Sequence, residues 1–86
     1  MLIVKRYTAA WCQPCKTLSP IMSEVEREVN GVQFQTIDVD QNRESAAQDG
    51  VSSVPSVLFI KNGQEVDRFI GVRSKSVILD LIKQYS

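Results

Sequence analysis

The sequence TAAWCQPCK, residues 8–16, holds both cysteines of an 86-residue chain that contains no histidine. Two residues separate Cys12 from Cys15, and Pro14 stands directly before the second cysteine. A pair at this spacing has three interpretations: a redox pair, half of a metal site, or two small buried hydrophobic residues. The elements predicted on either side of the stretch and the composition of the chain help to choose among them.

The stretch lies between a predicted strand and a predicted helix. Residues 2–7, LIVKRY, combine β-branched and aromatic side chains, which favour a strand that ends near Ala9. From Gln13 onward, apolar residues recur at steps of three and four, and Asn30-Gly31 supplies a stop, so a helix with one apolar stripe is predicted. The stripe consists of Leu18, Ile21, Met22, Val25 and Val29.

Five more elements are predicted after this helix. Alternating apolar and polar residues indicate a strand over residues 32–39, and NRESAAQDG indicates a brief helix closed by Gly50. The apolar run SVLFI after Pro55 suits a buried strand, and Asn62-Gly63 is a hairpin signal that joins it to QEVDRFI. Ser74 can cap a last helix. The apolar stripe of that helix consists of Val77, Ile78, Leu81, Ile82 and Tyr85.

The order of these elements, β-α-β-α-β-β-α, predicts an α/β fold. A helix separates the first two strands, so they are expected to pair in parallel, whereas the hairpin is antiparallel. The result is a four-stranded mixed sheet flanked by helices. At this length the chain is expected to form a single domain, residues 1–86, with a small core.

Composition and charge exclude several classes of function. Ten basic residues balance ten acidic ones and are scattered along the chain, so bulk charge predicts neither nucleic-acid binding nor attraction to an anionic membrane. No apolar run approaches the ~20 residues of a membrane helix, and the opening residues do not form a signal-peptide pattern. We therefore expect a cytoplasmic protein.

The predicted boundaries place Cys12 at the N-terminus of the first helix and Cys15 one turn inside it. Unpaired backbone N–H groups and the positive end of the helix dipole favour a thiolate there, and Pro14 is compatible with a first turn. Cys12 is expected to be the exposed, acidic sulfur and Cys15 to be partly shielded. A mixed disulfide on Cys12 would find Cys15 at high effective concentration, which favours a redox pair.

The two other interpretations of the pair stay open at this point. A structural metal site needs four ligands, and this chain offers two thiols and no imidazole, so a second copy or a cofactor thiol would have to complete it. Buried, inert cysteines are common in proteins. The close spacing at a strand-to-helix junction argues against that interpretation here.

The motif WCQPCK resembles the active site of the thioredoxin family, with Gln13 where the family usually has glycine. Pro20 falls where thioredoxins bend the active-site helix. The runs IDVDQN, VSSVPSVLFIKNGQEV and FIGV resemble the later part of the family, so the likeness covers essentially the whole chain. Thioredoxins usually carry an additional N-terminal strand and helix, which this sequence lacks.

The resemblance implies a protein-disulfide reductase that acts as an electron carrier in cell redox homeostasis. It assigns Cys12 as the nucleophile and Cys15 as the resolving cysteine of a redox-active disulfide, with no bound cofactor or metal. It implies a cis Val54-Pro55 bond. It also implies a flat apolar rim that receives target proteins, formed by Trp11, Val54, Pro55, Gly71 and Val72.

The resemblance also implies the partners of the protein. An NADPH-dependent thioredoxin reductase would donate electrons, and disulfide-containing proteins such as reductases would receive them. The protein is expected to act as a monomer. The identities of Gln13 and Pro14, between the cysteines, are expected to modulate the reaction.

The sequence departs from the family pattern at Arg6. Thioredoxins usually have a buried aspartate six residues before the first cysteine, thought to help deprotonate the resolving thiol. Strand parity puts Thr36 and Asp38 on one face, so Asp38 is a hypothetical partner that neutralises Arg6, because an unpaired buried guanidinium is costly. Alternatively, Arg6 reaches along apolar surface to water and pairs with nothing. A cation near Cys15 would favour its thiolate.

Two alternative functions remain beside the thioredoxin-like one. A glutaredoxin-like protein would take electrons from glutathione, but VRSK at residues 72–75 differs from the Gly-Gly and Asp pattern with which glutaredoxins bind it. A non-catalytic module, such as an iron–sulfur or metal carrier, would use the fold or the thiols without redox turnover.

Overall fold

The computed structural model describes all 86 residues, Met1–Ser86, as one four-stranded sheet with three helices. The strands are β1 (Leu2–Thr8), β2 (Val32–Asp38), β3 (Ser56–Lys61) and β4 (Gln64–Ile70), and the helices are α1 (Gln13–Glu28), α2 (Arg43–Gln48) and α3 (Lys75–Tyr85). The strand order is β2-β1-β3-β4. β1 pairs with β2 in parallel, and the β1–β3 and β3–β4 pairs are antiparallel. The predicted element order and mixed sheet are confirmed.

One face of the sheet carries the main core under α1 and α3. Alternation along β1 points Leu2 and Val4 to this face, where they pack with buried residues of both helices. Phe59 of β3 and Phe69 of β4 lie in the same cluster, with ring centroids 6.1 Å apart. This packing holds α1, and with it the cysteine pair, against the end of β1.

The opposite face holds a smaller cluster under α2. Tyr7, Ala46 and Leu58 are buried there, and Val51 and Val54 pack against them. Lys5 lies on the same side of β1 as Tyr7, because side chains two residues apart share a face. Val51 and Val54 belong to the chain between α2 and β3, so this segment crosses the second face. Val54 also packs against the cysteine pair.

The predicted boundaries differ from the observed ones by about one residue. β1 extends to Thr8, and β2 ends at Asp38 instead of residue 39. Asn62 and Gly63 have φ values of 54° and 80°, the positive values that a tight hairpin turn requires. No helix has both the length and the apolar character needed to cross a membrane.

The predicted apolar stripe of α3 is wrong at one position. Ile78 and Ile82 are buried, but Val77 is 42% exposed. A helix turns by about 100° per residue, so a residue next to the buried stripe can point away from the sheet. Ile78 therefore packs in the main core, whereas Val77 lies partly in solvent.

Candidate active site around the cysteine pair

Cys12 and Cys15 form a disulfide, with Cα atoms 5.3 Å apart. Cys12 is the N-cap residue of α1, and its Sγ accepts a hydrogen bond from the backbone N–H of Cys15 at 3.2 Å. The N–H of Cys12 bonds to the carbonyl oxygen of Ala9 at 3.2 Å, which closes the turn between β1 and α1. Pro14 lies in the first turn, where its missing N–H costs the helix nothing. The predicted position of the pair is confirmed.

The predicted difference in exposure between the two cysteines is wrong for the disulfide form. Cys12 is 3% exposed and Cys15 is 2% exposed. Ala9 is buried with them, and Val39 and Val54 pack against this cluster. Apolar neighbours cover both cysteines of the disulfide, so helix position alone does not make Cys12 accessible.

The bond between Val54 and Pro55 is cis, as the resemblance implied. The carbonyl oxygen of Pro55 accepts a hydrogen bond from the N–H of Gly71 at 2.9 Å. Gly71 has a φ of 92°, a conformation that side chains with a Cβ rarely adopt. The hydrogen bond thus brings the loop after β4 against the segment before β3.

The predicted apolar rim is only partly exposed. Trp11 is 69% exposed and Val72 is 36% exposed, while Val54 and Gly71 are half-buried. Pro55 is fully buried, and its role in target binding stays a prediction. Its ring belongs to the packed base of the site because β3 begins directly after it.

The indole of Trp11 is held by Asp40, which sequence reasoning missed. Its Nε1 donates a hydrogen bond to Asp40 Oδ2 at 2.8 Å. Asp38 in turn accepts a hydrogen bond from the N–H of Asp40 at 2.8 Å, through its carboxylate. An Asp-x-Asp pattern that begins at the last residue of a strand is the available signal, since aspartate side chains favour such turns. The turn after β2 therefore orients the tryptophan.

A small pocket of about 130 Å³ lies beside Trp11. Its walls come from the ends of β2, from α2 and from the segment before β3, elements that are far apart in sequence. The lining residues are Trp11, Val39, Ala46, Val51, Ser52, Ser53 and Val54. Only Trp11 and Val54 of this set were predicted as site residues. Ile70, also missed, is 52% exposed at the end of β4, next to Gly71.

Arg6 is buried behind the site, and the predicted pairing with Asp38 is wrong. Arg6 is 8% exposed, and its Nη2 donates to Thr36 Oγ1 at 3.2 Å. The register places Thr36 opposite Arg6 but Asp38 opposite Thr8, and the Asp38 carboxylate bonds to backbone instead. Burial lowers the pKa of Arg6, and the charge of Glu26 partly offsets this effect.

The alternative expectation for Arg6 describes it better, except that Arg6 does pair with the Thr36 hydroxyl. No carboxylate lies within 4.0 Å of its guanidinium, since it forms no salt bridge. No fully buried side-chain nitrogen or oxygen lacks a partner, so the guanidinium nitrogens without a hydrogen bond keep contact with solvent. Arg6 therefore crosses apolar surface and reaches water at its tip. No group of three or more potential metal-ligating side chains converges in the protein.

Comparison with known proteins adds to these observations. The thioredoxin family model matches residues 1–84. A thioredoxin of Chlamydia caviae is 39% identical over 85 residues, which are 99% of this chain and 83% of that protein. A thioredoxin of Bacillus subtilis is 32% identical, over 98% of this chain and 82% of its own length.

Solved structures give the same result. The X-ray structure of Fasciola hepatica thioredoxin superposes with a TM-score of 0.92 at 39% identity, covering 99% of this chain and 81% of that one. A mutant thioredoxin from Halobacterium salinarum has a TM-score of 0.91 at 28% identity, over 98% of this chain and 74% of its own. With its bonded Cys12–Cys15 pair at the start of α1, the chain belongs to the thioredoxin family of thiol–disulfide oxidoreductases.

Proposed function

We propose that this protein reduces disulfide bonds in target proteins, with Cys12 as the nucleophile and Cys15 as the resolving cysteine. The observation that carries the proposal is the disulfide between the N-cap residue of α1 and a cysteine one turn inside the helix. The disulfide is the oxidised product of the proposed cycle.

The proposed cycle consists of two thiol–disulfide exchanges. The Cys12 thiolate of the reduced protein attacks one sulfur of the target disulfide, forms a mixed disulfide and releases the other sulfur as a thiolate. Cys15 then loses its proton and attacks Cys12 Sγ, so that the Cys12–Cys15 disulfide forms and the second target sulfur leaves. Two electrons pass to the target, whose two thiolates take up protons.

The helix N-terminus supports Cys12 as the first nucleophile. Its Sγ already accepts a hydrogen bond from the Cys15 N–H, and the same donor would stabilise a negative charge on that sulfur. Cys15 lies inside the helix and is suited to the second step, because the exchange is intramolecular once Cys12 is bonded to a target. Gln13 and Pro14 are exposed between them and would modulate contact with the target.

The pocket beside Trp11 would receive the segment of the target that flanks its disulfide. Trp11 and Val72 supply exposed apolar surface at the rim, and Val54 packs against the cysteine pair. An extended peptide could pair with the backbone at Val54, while the hydrogen bond between Gly71 and the buried Pro55 holds that backbone in place.

The electron donor and the cellular setting belong to the same proposal. The protein would be re-reduced by an NADPH-dependent thioredoxin reductase, act as a monomeric single domain in the cytoplasm, and serve disulfide-containing proteins such as reductases. Membership of the thioredoxin family supports the reductase as electron donor and disulfide-containing proteins as targets.

We assign a modulating role to Arg6. Its cation lies on the face of β1 that packs against α1, and without a carboxylate partner it would favour a thiolate at Cys15. Asp38 would modulate the site differently, through the turn that carries Asp40. Arg6→Leu would test the first role: an unchanged Cys15 titration together with an unchanged reduction rate would show it to be wrong.

Trapping with single-cysteine variants tests the assignment of the two cysteines. Cys15→Ser should accumulate a mixed disulfide with insulin, visible by mass spectrometry, because the second exchange cannot occur. Cys12→Ser should accumulate little. The reverse pattern would exchange the two roles, and no adduct with either variant would refute the mechanism.

A side-by-side measurement of re-reduction tests the donor. The oxidised protein is incubated with thioredoxin reductase and NADPH, or with glutathione, and NADPH consumption and thiol content are followed. Fast re-reduction by the reductase is expected. Fast re-reduction by glutathione alone would favour the glutaredoxin-like alternative.

A further inference from the structure

A charged cluster outside the cysteine site converges on Asp49, directly after α2. The Asp49 cluster consists of Lys5, Tyr7, Ser45, Asp49 and Arg68. Lys5 Nζ lies 2.6 Å from Asp49 Oδ2, and the Tyr7 hydroxyl donates to the same oxygen. Arg68 Nη2 donates to the backbone carbonyl of Asp49 at 2.7 Å. Asp49 is thus tied to β1 through its side chain and to β4 through its backbone.

The helix that Asp49 terminates has little stability of its own. α2 is six residues long, its N-cap Asn42 makes no capping hydrogen bond through its side chain, and Ala46 is its only buried residue. Helices this short do not persist in water without tertiary contacts. The Tyr7 hydroxyl supplies such contacts, since it can accept a hydrogen bond from the Ser45 hydroxyl at 2.8 Å and its oxygen also lies 3.1 Å from the Ser45 carbonyl oxygen.

The Asp49 cluster also borders the pocket. The N–H of Val51 bonds to the carbonyl of Ala46 at 2.8 Å, and Arg68 Nη1 contacts the carbonyl of Gly50 at 3.4 Å. Ala46 lines one wall of the pocket, and residues 51–54 line another. A shift of Asp49 would therefore move both walls relative to Trp11.

The charges of the cluster are complementary and partly shielded from water. The side chains of Lys5 and Asp49 are 18% and 28% exposed. Burial alone would raise the pKa of Asp49, but hydrogen bonds from Lys5 and Tyr7, together with the charges of Lys5 and Arg68, lower it. Burial likewise opposes the charge of Lys5, and its contacts with Asp49 and Tyr7 raise its pKa. Both groups are charged at neutral pH.

We propose that Asp49 is a positioning residue that holds the Ala46 and Val51–Val54 walls of the pocket in place and thereby sets the affinity for protein disulfides. The inference rests on the proposed function, in that the pocket receives the target. Asp49 does not touch the sulfurs, so its loss should weaken binding of the target and leave the exchange chemistry intact. Substrates too small to occupy the pocket should be unaffected.

Steady-state reduction of two substrates by Asp49→Asn, with thioredoxin reductase and NADPH in excess as the source of electrons, tests the proposal. The substrates are insulin, whose disulfide lies in a folded chain, and cystine, a small disulfide whose short polar arms do not fill an apolar pocket. We expect KM for insulin to rise roughly three- to tenfold with kcat within about twofold of wild type, because only target binding is weakened. The rate with the small disulfide should not change.

Two further variants complete the experiment. Tyr7→Phe keeps the ring in the core and removes only the hydroxyl, so it should fold and raise KM for insulin in the same direction as Asp49→Asn. Asp80→Asn removes an exposed aspartate of α3 that forms no side-chain hydrogen bond or salt bridge, and it should behave as wild type.

Unchanged KM in both Asp49→Asn and Tyr7→Phe would overturn the inference. An equal fall in kcat with both substrates would also overturn it, since that pattern reports a loss of active protein. A third variant, Val51→Ser, changes the pocket wall itself and distinguishes failure of this inference from failure of the proposed function. If KM for insulin rises in Val51→Ser but not in Asp49→Asn or Tyr7→Phe, the pocket still binds the target and only the role of Asp49 is wrong. A wild-type protein that cannot reduce insulin would contradict the proposed function itself.

Discussion

Trp11 Nε1 and Asp40 Oδ2 are joined by a 2.8 Å hydrogen bond that ties the only tryptophan of the chain to the turn after β2. The indole is 69% exposed, so few packing contacts restrain it. The carboxylate of Asp40 is consequently the main restraint on an aromatic ring that stands directly before the nucleophilic cysteine. Removal of that carboxylate should affect the site more than the fold.

Asp40→Ala should release the indole of Trp11. We expect the fluorescence anisotropy of Trp11 to fall and kcat/KM for insulin to fall by about two- to fivefold, since one hydrogen bond contributes about 1 kcal/mol. The free energy of unfolding should change by less than about 0.5 kcal/mol, because the contact is exposed. Unchanged anisotropy would show that Asp40 does not restrain the ring.

Arg6→Met should stabilise the protein. Arg6 is 8% exposed, and its guanidinium has no carboxylate within salt-bridge distance and loses hydration on folding. Methionine retains the apolar contacts of the stem, and the exposed Thr36 hydroxyl can bond to water. We expect the free energy of unfolding in urea to rise by about 1 kcal/mol.

Arg27→Met is the matched control for Arg6→Met. Arg27 is exposed in the last turn of α1 and makes no side-chain hydrogen bond or salt bridge. Its substitution should change stability by less than about 0.5 kcal/mol. A loss of stability in Arg6→Met larger than in Arg27→Met would mean that the buried cation stabilises the fold.

Asp49→Asn should destabilise the protein in a pH-dependent manner. The pKa of Asp49 is lowered in the folded state, so the stability that its carboxylate contributes is present above its unfolded pKa and disappears as the pH falls through the folded pKa. We expect a loss of roughly 1 kcal/mol at neutral pH that shrinks below about pH 4. Urea denaturation of both proteins from neutral to acidic pH measures this difference.

The raised pKa of Lys5 acts at the other end of the pH scale. The stability that the charged Lys5 contributes is complete below its unfolded pKa and is lost as the pH rises through its folded pKa. Between the acidic range in which Asp49 titrates and the alkaline range in which Lys5 titrates, the stability lost in Asp49→Asn should therefore be constant. If wild type and Asp49→Asn still differ by the same free energy of unfolding in acid, packing and not charge accounts for the difference.

Two adjacent residues of α3 should differ sharply in their contribution to stability. Ile78 is fully buried in the main core, whereas Val77 is 42% exposed. Ile78→Ala should cost about 2–5 kcal/mol through lost burial and a residual cavity. Val77→Ala should cost less than about 0.5 kcal/mol. Similar losses in thermal or urea unfolding would mean that α3 packs through both residues in solution.

Local patterns in the sequence were sufficient for the order of the elements and for the cysteine pair. The three- and four-residue spacing of Leu18, Met22 and Val25 predicted α1, and Asn62-Gly63 predicted the hairpin, because both signals depend on neighbours along the chain. The position of Cys12 at the start of α1 followed from the same local boundaries.

The sequence by itself determined the strand-to-helix junction, the spacing of Cys12 and Cys15, and the family, since each of these depends on a short continuous run of residues. The tertiary structure alone decided that Arg6 meets Thr36 instead of Asp38, that Asp40 holds Trp11, and that Lys5 and Tyr7 converge on Asp49. Those contacts join residues 29 to 44 positions apart. They depend on strand register and on the path of the chain across the sheet, which patterns of neighbouring residues do not specify.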